Sequence, residues 1–332
     1  DTDADGISAA VIACRAIERF CGVKPVLVFT QLKRMVSIEP QTITLLKKKK
    51  ITKLVALDLA VDQKAERVKK IEKFAGVLIL DHHKKYAELS SKKTAFIKAV
   101  DLQKNIEPSK YTTSKMSFDL FSKVADLSDS AWIAIVGLVG DFSVQAWESF
   151  VDKTFKESGL NLNQIKDCTE LVNSVETVHI EDVSELFEFY LNVDGPNDLL
   201  NSKFASYKQI VNCEIERLSK EFDNKAEYFP DQQLLFFVFK SKYAIKSPLI
   251  NYLSSRSSRN RTLVLVEDVG NGVLSLSARR QDFKVKMNDL LEKAVKPLKG
   301  GIAGGHVPAA GGKIRRGDLE KFKQNLIKIL SK

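Results

Sequence analysis

Apolar and polar positions in the first 141 residues alternate between two spacings. ISAAVIACRAIERF (7–20) repeats its apolar residues at helical intervals, whereas KPVLVFT (24–30) and LVALDLA (54–60) are short runs of strand length. DQKAERVKKIEKFA then reads as a charged helix, and GVLILDHH (76–83) as another strand that stops at Asp81. SAWIAIVGLVGD (130–141) is a further apolar segment, ending at Gly140 and Asp141. This order predicts an α/β fold, a mostly parallel sheet with helices on both faces. Ligands in such sheets sit outside the carboxyl ends of the strands, and polar residues follow those ends here.

The pattern changes further on. Residues 150–200 are acidic and helical and carry no chemistry that can be named. Phe204, Tyr207, Val211, Ile215, Leu218 and Phe222 then recur every three or four residues, the apolar face of a helix that could bridge two domains. Beyond Pro230 the character is β: QLLFFVFKS and RTLVLVEDV read as strands, and Asn271-Gly272 as a two-residue hairpin turn. VLSLSARR alternates, with Leu274, Leu276 and Ala278 on one face and Ser275, Ser277 and Arg279 on the other. A glycine-rich loop, KGGIAGGHVPAAGGK (299–313), and a closing helix complete the chain. The predicted division is a first domain at 1–190, a helical linker at 191–229 and a smaller α/β domain at 230–332.

A net charge of +10 favours polyanionic partners without specifying which. Lys47-Lys48-Lys49-Lys50 reads as a solvated helix end rather than a binding patch. Apolar runs break well before 18 residues, so no membrane span and no membrane partner are expected, and no secretory signal is visible. Cys14, Cys21, Cys168 and Cys213 show no CxxC spacing; they read as core thiols of a reducing compartment, the cytoplasm, and not as a structural zinc site.

The chemistry lies in the acids. Asp1, Asp3 and Asp5 in DTDADG, the lone Asp58, Asp81-His82-His83 and Asp141 all read as standing at strand or loop ends, and a parallel sheet would gather them on one edge. Each alone reads more simply as a helix cap or turn residue. Together, carboxylates in one crevice repel by about 4 kcal/mol per close pair at an effective dielectric near 20. Divalent cations reverse that sign, and mixed carboxylate and imidazole donors suit manganese, magnesium or iron. Two such ions form a clamp for displacement at phosphorus.

DTDADGISAA, Asp58, DHH, GD at 140–141 and GGHVPAAGG together resemble the DHH phosphoesterase superfamily, over nearly the whole chain. Within it, the DADG form and GGHxxAAG look most like RecJ-type single-strand exonucleases in their compact archaeal form. The resemblance implies a DHH catalytic domain with two Mn2+ or Mg2+ ions and a DHH-associated substrate-binding domain. By position, Asp3 would bind one metal and Asp5, His82 and Asp141 the other; Asp58 would bridge them, and Asp1 would complete the first shell. His83 would face the scissile phosphate, and Asp81 would orient both histidines. In the second domain Gly304, Gly305, His306 and Arg279 would hold the substrate, with Arg280 the poorer candidate. Implied partners are single-stranded DNA or RNA and the GINS complex, with roles in DNA repair or replication. Alternatives are a nanoRNase or nucleotide bisphosphate phosphatase acting on short substrates, and a GINS-associated replisome component with reduced activity. Two departures from the pattern stand out. The strand that precedes the first motif in relatives is absent, so a fragment is expected, and Ala60 stands where many relatives have glycine.

Overall fold

The computed structural model describes residues 1–30, 37–103 and 105–331. The chain forms two compact units, Asp1–Lys208 and Gln209–Lys332.

In the first unit, helix α1 (Ala4–Cys21) opens the chain and α2 (Pro40–Lys48) precedes strand β1 (Lys53–Leu57). Helix α3 (Ala65–Ile71) leads to β2 (Gly76–Asp81), which is followed by β3 (Thr94–Lys98) and the single turn α4 (Ala99–Leu102). Among the described residues the strands form one parallel sheet in the order β1-β2-β3, with Leu57 beside Leu80 and Asp81 beside Lys98. Ala56, Val77, Ile79 and Phe96 face one side and pack with Val68 and Ile71 of α3. Ile97 faces the other side and packs with Met116 of helix α5 (Thr113–Phe121), so helices cover both faces. The remaining helices are α6 (Ala131–Gly140), α7 (Glu148–Ser158), α8 (Leu162–Val178), α9 (Val183–Leu191) and α10 (Pro196–Leu200). Ile7, Val11 and Ile12 of α1 share a core with Ile133, Ile135 and Leu138 of α6 and with Leu171 and Val175 of α8.

Three expectations fail in this unit or beside it. Residues 24–30 form no strand; Val26 and Phe29 are exposed there, since an apolar run becomes a strand only beside a partner. The segment 130–141 is a helix buried on every side, which is why its apolar residues run on without a period. Asp141 therefore follows a helix, not a strand. Cys14 and Cys168 are buried, but Cys21 and Cys213 are exposed, each on the solvent side of its helix, which corrects the reading of all four as core thiols. The lysines 47–50 are exposed at the end of α2, as their sequence context suggests.

The second unit takes in most of α11 (Ala205–Lys225) and then β4 (Glu227–Phe229), β5 (Leu234–Phe239), α12 (Lys246–Arg256), β6 (Thr262–Asp268) and β7 (Val273–Arg279). Helix α13 (Met287–Val295), β8 (Ile302–His306), β9 (Ala309–Arg315) and α14 (Leu319–Leu330) complete it. Its sheet runs β4-β5-β6-β7-β9-β8, and β5 pairs with β6 in parallel while the other pairs are antiparallel. Leu274, Leu276 and Ala278 enter a core with Leu290 and Leu291 of α13 and Phe322 of α14. The hairpin between β6 and β7 is wider than two residues: its ladder closes at Asp268 and Leu274, with Gly270, Asn271 and Gly272 all at positive φ. The glycine-rich segment is not a loop but the hairpin of β8 and β9, joined by Val307 and Pro308. Gly305 sits there at φ 144°, and a Cβ would lie 2.6 Å from the Ala309 carbonyl oxygen. Among the described residues no helix is long and apolar enough to cross a membrane.

Candidate metal centre

Four parts of the first unit deliver side chains to one place. The carboxylates of Asp1, Asp3 and Asp58 offer oxygens within 4.8 Å of one another; oxygens of Asp5 and Asp141 and a ring nitrogen of His82 lie within the same limit, as do an oxygen of Asp58 and ring nitrogens of His82 and His83. Asp58 and His82 each belong to two of these groups. Asp3 is the N-cap of α1, its Oδ1 accepting from the amides of Asp5 at 3.1 Å and Gly6 at 3.0 Å, and Asp5 lies in the first turn. Asp58 leaves β1 at φ 59°, a left-handed conformation that aspartate tolerates better than most residues, and its amide donates to the Leu80 carbonyl at 3.0 Å. That bend places its buried carboxylate 3.4 Å from His82 Nε2. Asp141, ending α6, brings Oδ2 to 3.5 Å from the same nitrogen.

The two histidines are held differently. His82 Nδ1 lies 3.3 Å from the Ser109 carbonyl oxygen. A carbonyl only accepts, so Nδ1 carries the proton and Nε2 turns its lone pair toward Asp58 and Asp141. His83 Nδ1 donates to Asp81 Oδ1 at 2.7 Å, and the His83 amide meets the same oxygen at 3.1 Å. Asp81 thus orients His83 alone; the reading that it orients both rings is corrected, because His82 points the other way, to Ser109.

Crowding of negative charge shows in the ionisation of the site. Burial, and then the charges of Asp5, Asp3 and Asp58, push Asp141 up to about 9. Burial and Asp5 push Asp58 up to about 6. Burial alone would lower His82, but the surrounding carboxylates, Asp58 foremost, outweigh it and raise it. The hydrogen bond to Asp81 raises His83. Asp81 goes the opposite way: burial opposes its charge, yet His83 and Lys98 together hold it well below the usual carboxylate range. The Asp141 Oδ2 atom is buried and has no hydrogen-bond partner among the described residues. Such a group is expensive to leave unsatisfied. A buried orphan oxygen among hard oxygen donors and one imidazole nitrogen is a donor set that fits Mn2+ or Mg2+.

Several supporting residues escape a reading of the sequence. The start of α5 receives Asp5: the amides of Thr113 and Ser114 donate to its two oxygens at 2.7 and 2.9 Å, and Thr113 Oγ1 donates to Asp58 at 2.9 Å. Gly137 of α6 allows this approach, since a Cβ there would lie 2.1 Å from Ser114 Oγ and 2.5 Å from Asp5 Oδ1. Beneath the histidines, the wholly buried Lys98 pairs with Asp81 and lies 3.4 Å from Asp62. Asp62 in turn accepts from the Tyr86 and Ala87 amides at 2.5 and 3.2 Å, fixing the segment after His83. One signal existed for Lys98: it shares strand parity with Thr94 and Phe96, both inward-facing.

In the second unit, Gly304, Gly305 and His306 lie exposed on the edge strand β8. Arg279 is half-buried; burial draws its ionisation below the usual arginine range, and among the described residues its side chain makes no hydrogen bond or ion pair. Arg280 is engaged, meeting Asp282 at 2.8 Å and Thr262 Oγ1 at 3.1 Å.

The DHHA1 domain family matches residues 237–332. No curated protein matches the sequence. Among solved structures, an exonuclease RecJ bound to manganese superposes with a TM-score of 0.72 at 14% identity, covering 100% of this chain and 89% of that one. RecJ from Thermus thermophilus in complex with Mn2+ gives 0.70 at 15%, covering 100% of this chain and 51% of that one. The DHH domain of a member of the s1p family of ribosomal proteins gives 0.69 at 14%, covering 100% and 85%. The chain has the fold of these RecJ and DHH-domain structures, and its residues 237–332 match the DHHA1 domain family.

Proposed function

We propose that this protein is a divalent-metal-dependent phosphodiesterase that removes mononucleotides from the ends of single-stranded DNA or RNA. One observation carries the reading: five aspartates and His82, drawn from sequence positions 1 to 141, meet in a cluster whose buried Asp141 Oδ2 has no hydrogen-bond partner among the described residues. Uncompensated, that cluster opposes folding. With two cations it becomes favourable.

In this reading Asp1 and Asp3 hold one cation, Asp5, His82 and Asp141 the other, and Asp58 lies between the two sets. Bound Mn2+ or Mg2+ would neutralise phosphate charge and acidify water near neutral pH. The chain's own residues fix the geometry. Two backbone amides pin Asp5, and the Ser109 carbonyl fixes the His82 tautomer so that Nε2 is the ligand atom. His83, with its Nδ1 proton committed to Asp81, keeps Nε2 for the scissile phosphate and, when protonated, donates there. Asp81 stays ionised to hold that ring. In the second unit Arg279, whose guanidinium has no anion among the described residues, and the exposed His306 are the proposed phosphate contacts.

The test is hydrolysis of end-labelled DNA and RNA from two nucleotides upward, with manganese and with chelator. Stepwise release of mononucleotides from long strands supports the proposal. Cleavage confined to the shortest substrates would reassign it to short oligonucleotides or nucleotide bisphosphates, and no hydrolysis of any phosphodiester with manganese would overturn it.

A further inference from the structure

Helix α6 ends on the residue that completes the metal cluster, and the way it ends is anomalous. The Phe142 amide donates to the Val139 carbonyl at 3.2 Å and the Ser143 amide to the Leu138 carbonyl at 2.8 Å. Those two bonds define a Schellman termination with Asp141 as C-cap, and its next residue must adopt the left-handed conformation that glycine normally supplies. Here that residue is Phe142, at φ 53°. A bulky side chain is disfavoured there.

Packing does not explain it: Phe142 is 72% exposed. The strained turn is nonetheless braced from two sides. Lys110 Nζ donates to the Phe142 carbonyl at 3.2 Å, and Ser143 Oγ donates to the Asp141 carbonyl at 2.9 Å. A conformation that opposes stability, gains no burial and is held in place belongs to a functional site more often than to a scaffold. Its position says which function. One residue step, about 3.8 Å between α-carbons, separates Phe142 from Asp141, whose carboxylate faces His82 at the cluster. A flat apolar ring offered to solvent beside a phosphodiester site suits one partner, the face of a nucleobase.

We propose that Phe142 is the stacking platform for the base of the nucleotide whose phosphate lies at the cluster, making the protein selective for base-bearing ends. The inference rests on the phosphodiesterase reading and names the substrate feature that this site recognises. Lys110, beside it, has no ion pair among the described residues and supplies a cation at the same rim.

The experiment compares calorimetric binding of a deoxynucleoside monophosphate and of deoxyribose 5-phosphate, with manganese, to the wild type, Phe142→Gly and Phe142→Trp. The wild type should prefer the nucleotide. Phe142→Gly should lose about fivefold to a hundredfold of that preference while its melting temperature rises by about 2–4 °C, because glycine suits the turn. Phe142→Trp should restore the preference without the gain in stability. An unchanged preference in Phe142→Gly, a fall in its melting temperature, or a wild type indifferent to the base would overturn the proposal. Binding needs no turnover, so an inactive wild type that still prefers the nucleotide sinks the hydrolase reading and leaves Phe142 standing. An active enzyme with unchanged preference sinks Phe142 alone.

Discussion

The cluster in the first unit and the glycine hairpin in the second are assembled in opposite ways. Asp3, Asp58, His82 and Asp141 come from the start of a helix, the ends of two strands and the end of another helix, and nothing local holds them together. Their mutual repulsion is eased but not cancelled by α5, whose amides and Thr113 hydroxyl reach Asp5 and Asp58. The β8–β9 hairpin is contiguous in sequence, carries no such repulsion and takes its shape from register, with Gly304 opposite Gly311 and His306 opposite Ala309. The first site is bound to destabilise the apo fold; the second is bound only to be formed.

Removing the shared carboxylate breaks this contrast most directly. Asp58→Ala should eliminate manganese-dependent hydrolysis of end-labelled single-stranded DNA, with the far-ultraviolet circular dichroism unchanged. In Asp58→Asn, which suits the left-handed turn and keeps an acceptor for Thr113, relief of like-charge crowding should raise the melting temperature of the metal-free protein. Retained turnover would count heavily against two cations sharing Asp58.

Two glycine substitutions sharpen the comparison. Gly137→Ala drives a methyl group into Ser114 and Asp5, so it should cost about 1–3 kcal/mol and weaken manganese binding in calorimetry. Gly305→Ala is strained by its φ and by the Ala309 carbonyl, with a comparable loss of about 1–3 kcal/mol. Manganese affinity should stay at the wild-type level there, while KM for oligonucleotides rises. Equal effects of the two variants on manganese would erase the distinction between the sites.

The smallest effect is on pH dependence. Asp141 and Asp58 sit above their unfolded values, at about 9 and about 6, and both histidines are raised as well. The folded state then binds protons that the unfolded state has released, so stability falls as pH rises. Asp81, held low, acts only at the acid end and does not oppose this slope. In chelator, the melting temperature should decline by a few degrees between pH 5 and pH 9, and manganese should flatten the decline. A flat profile in chelator would show that the carboxylates do not crowd one another.

Much of this was legible without coordinates because it depends on local pattern. Period-two alternation in VLSLSARR marked Leu274, Leu276 and Ala278 as inward, and helical spacing marked α1. Where pattern is silent, the reading failed. A helix buried all round has no polar face to give it a period, so α6 looked like a generic apolar run, and KPVLVFT looked like a strand because its composition cannot report a missing neighbour. The catalytic candidates could be picked out by residue type and order. Ser109, Thr113, Ser114 and Lys98 could not, since serine, threonine and lysine at such positions are ordinary until the fold brings a carboxylate or an imidazole to them.

By itself, then, the sequence marked which residues are candidates for chemistry and which stretches have one apolar face, because side-chain type and spacing are properties of the chain alone. Tertiary structure alone decided which Asp58 and His82 atoms face the cluster, that Asp81 serves His83 and not His82, and that the glycine segment pairs as a hairpin. Tautomer, ionisation and strand register depend on partners far away along the chain, and those partners exist only once the chain has folded.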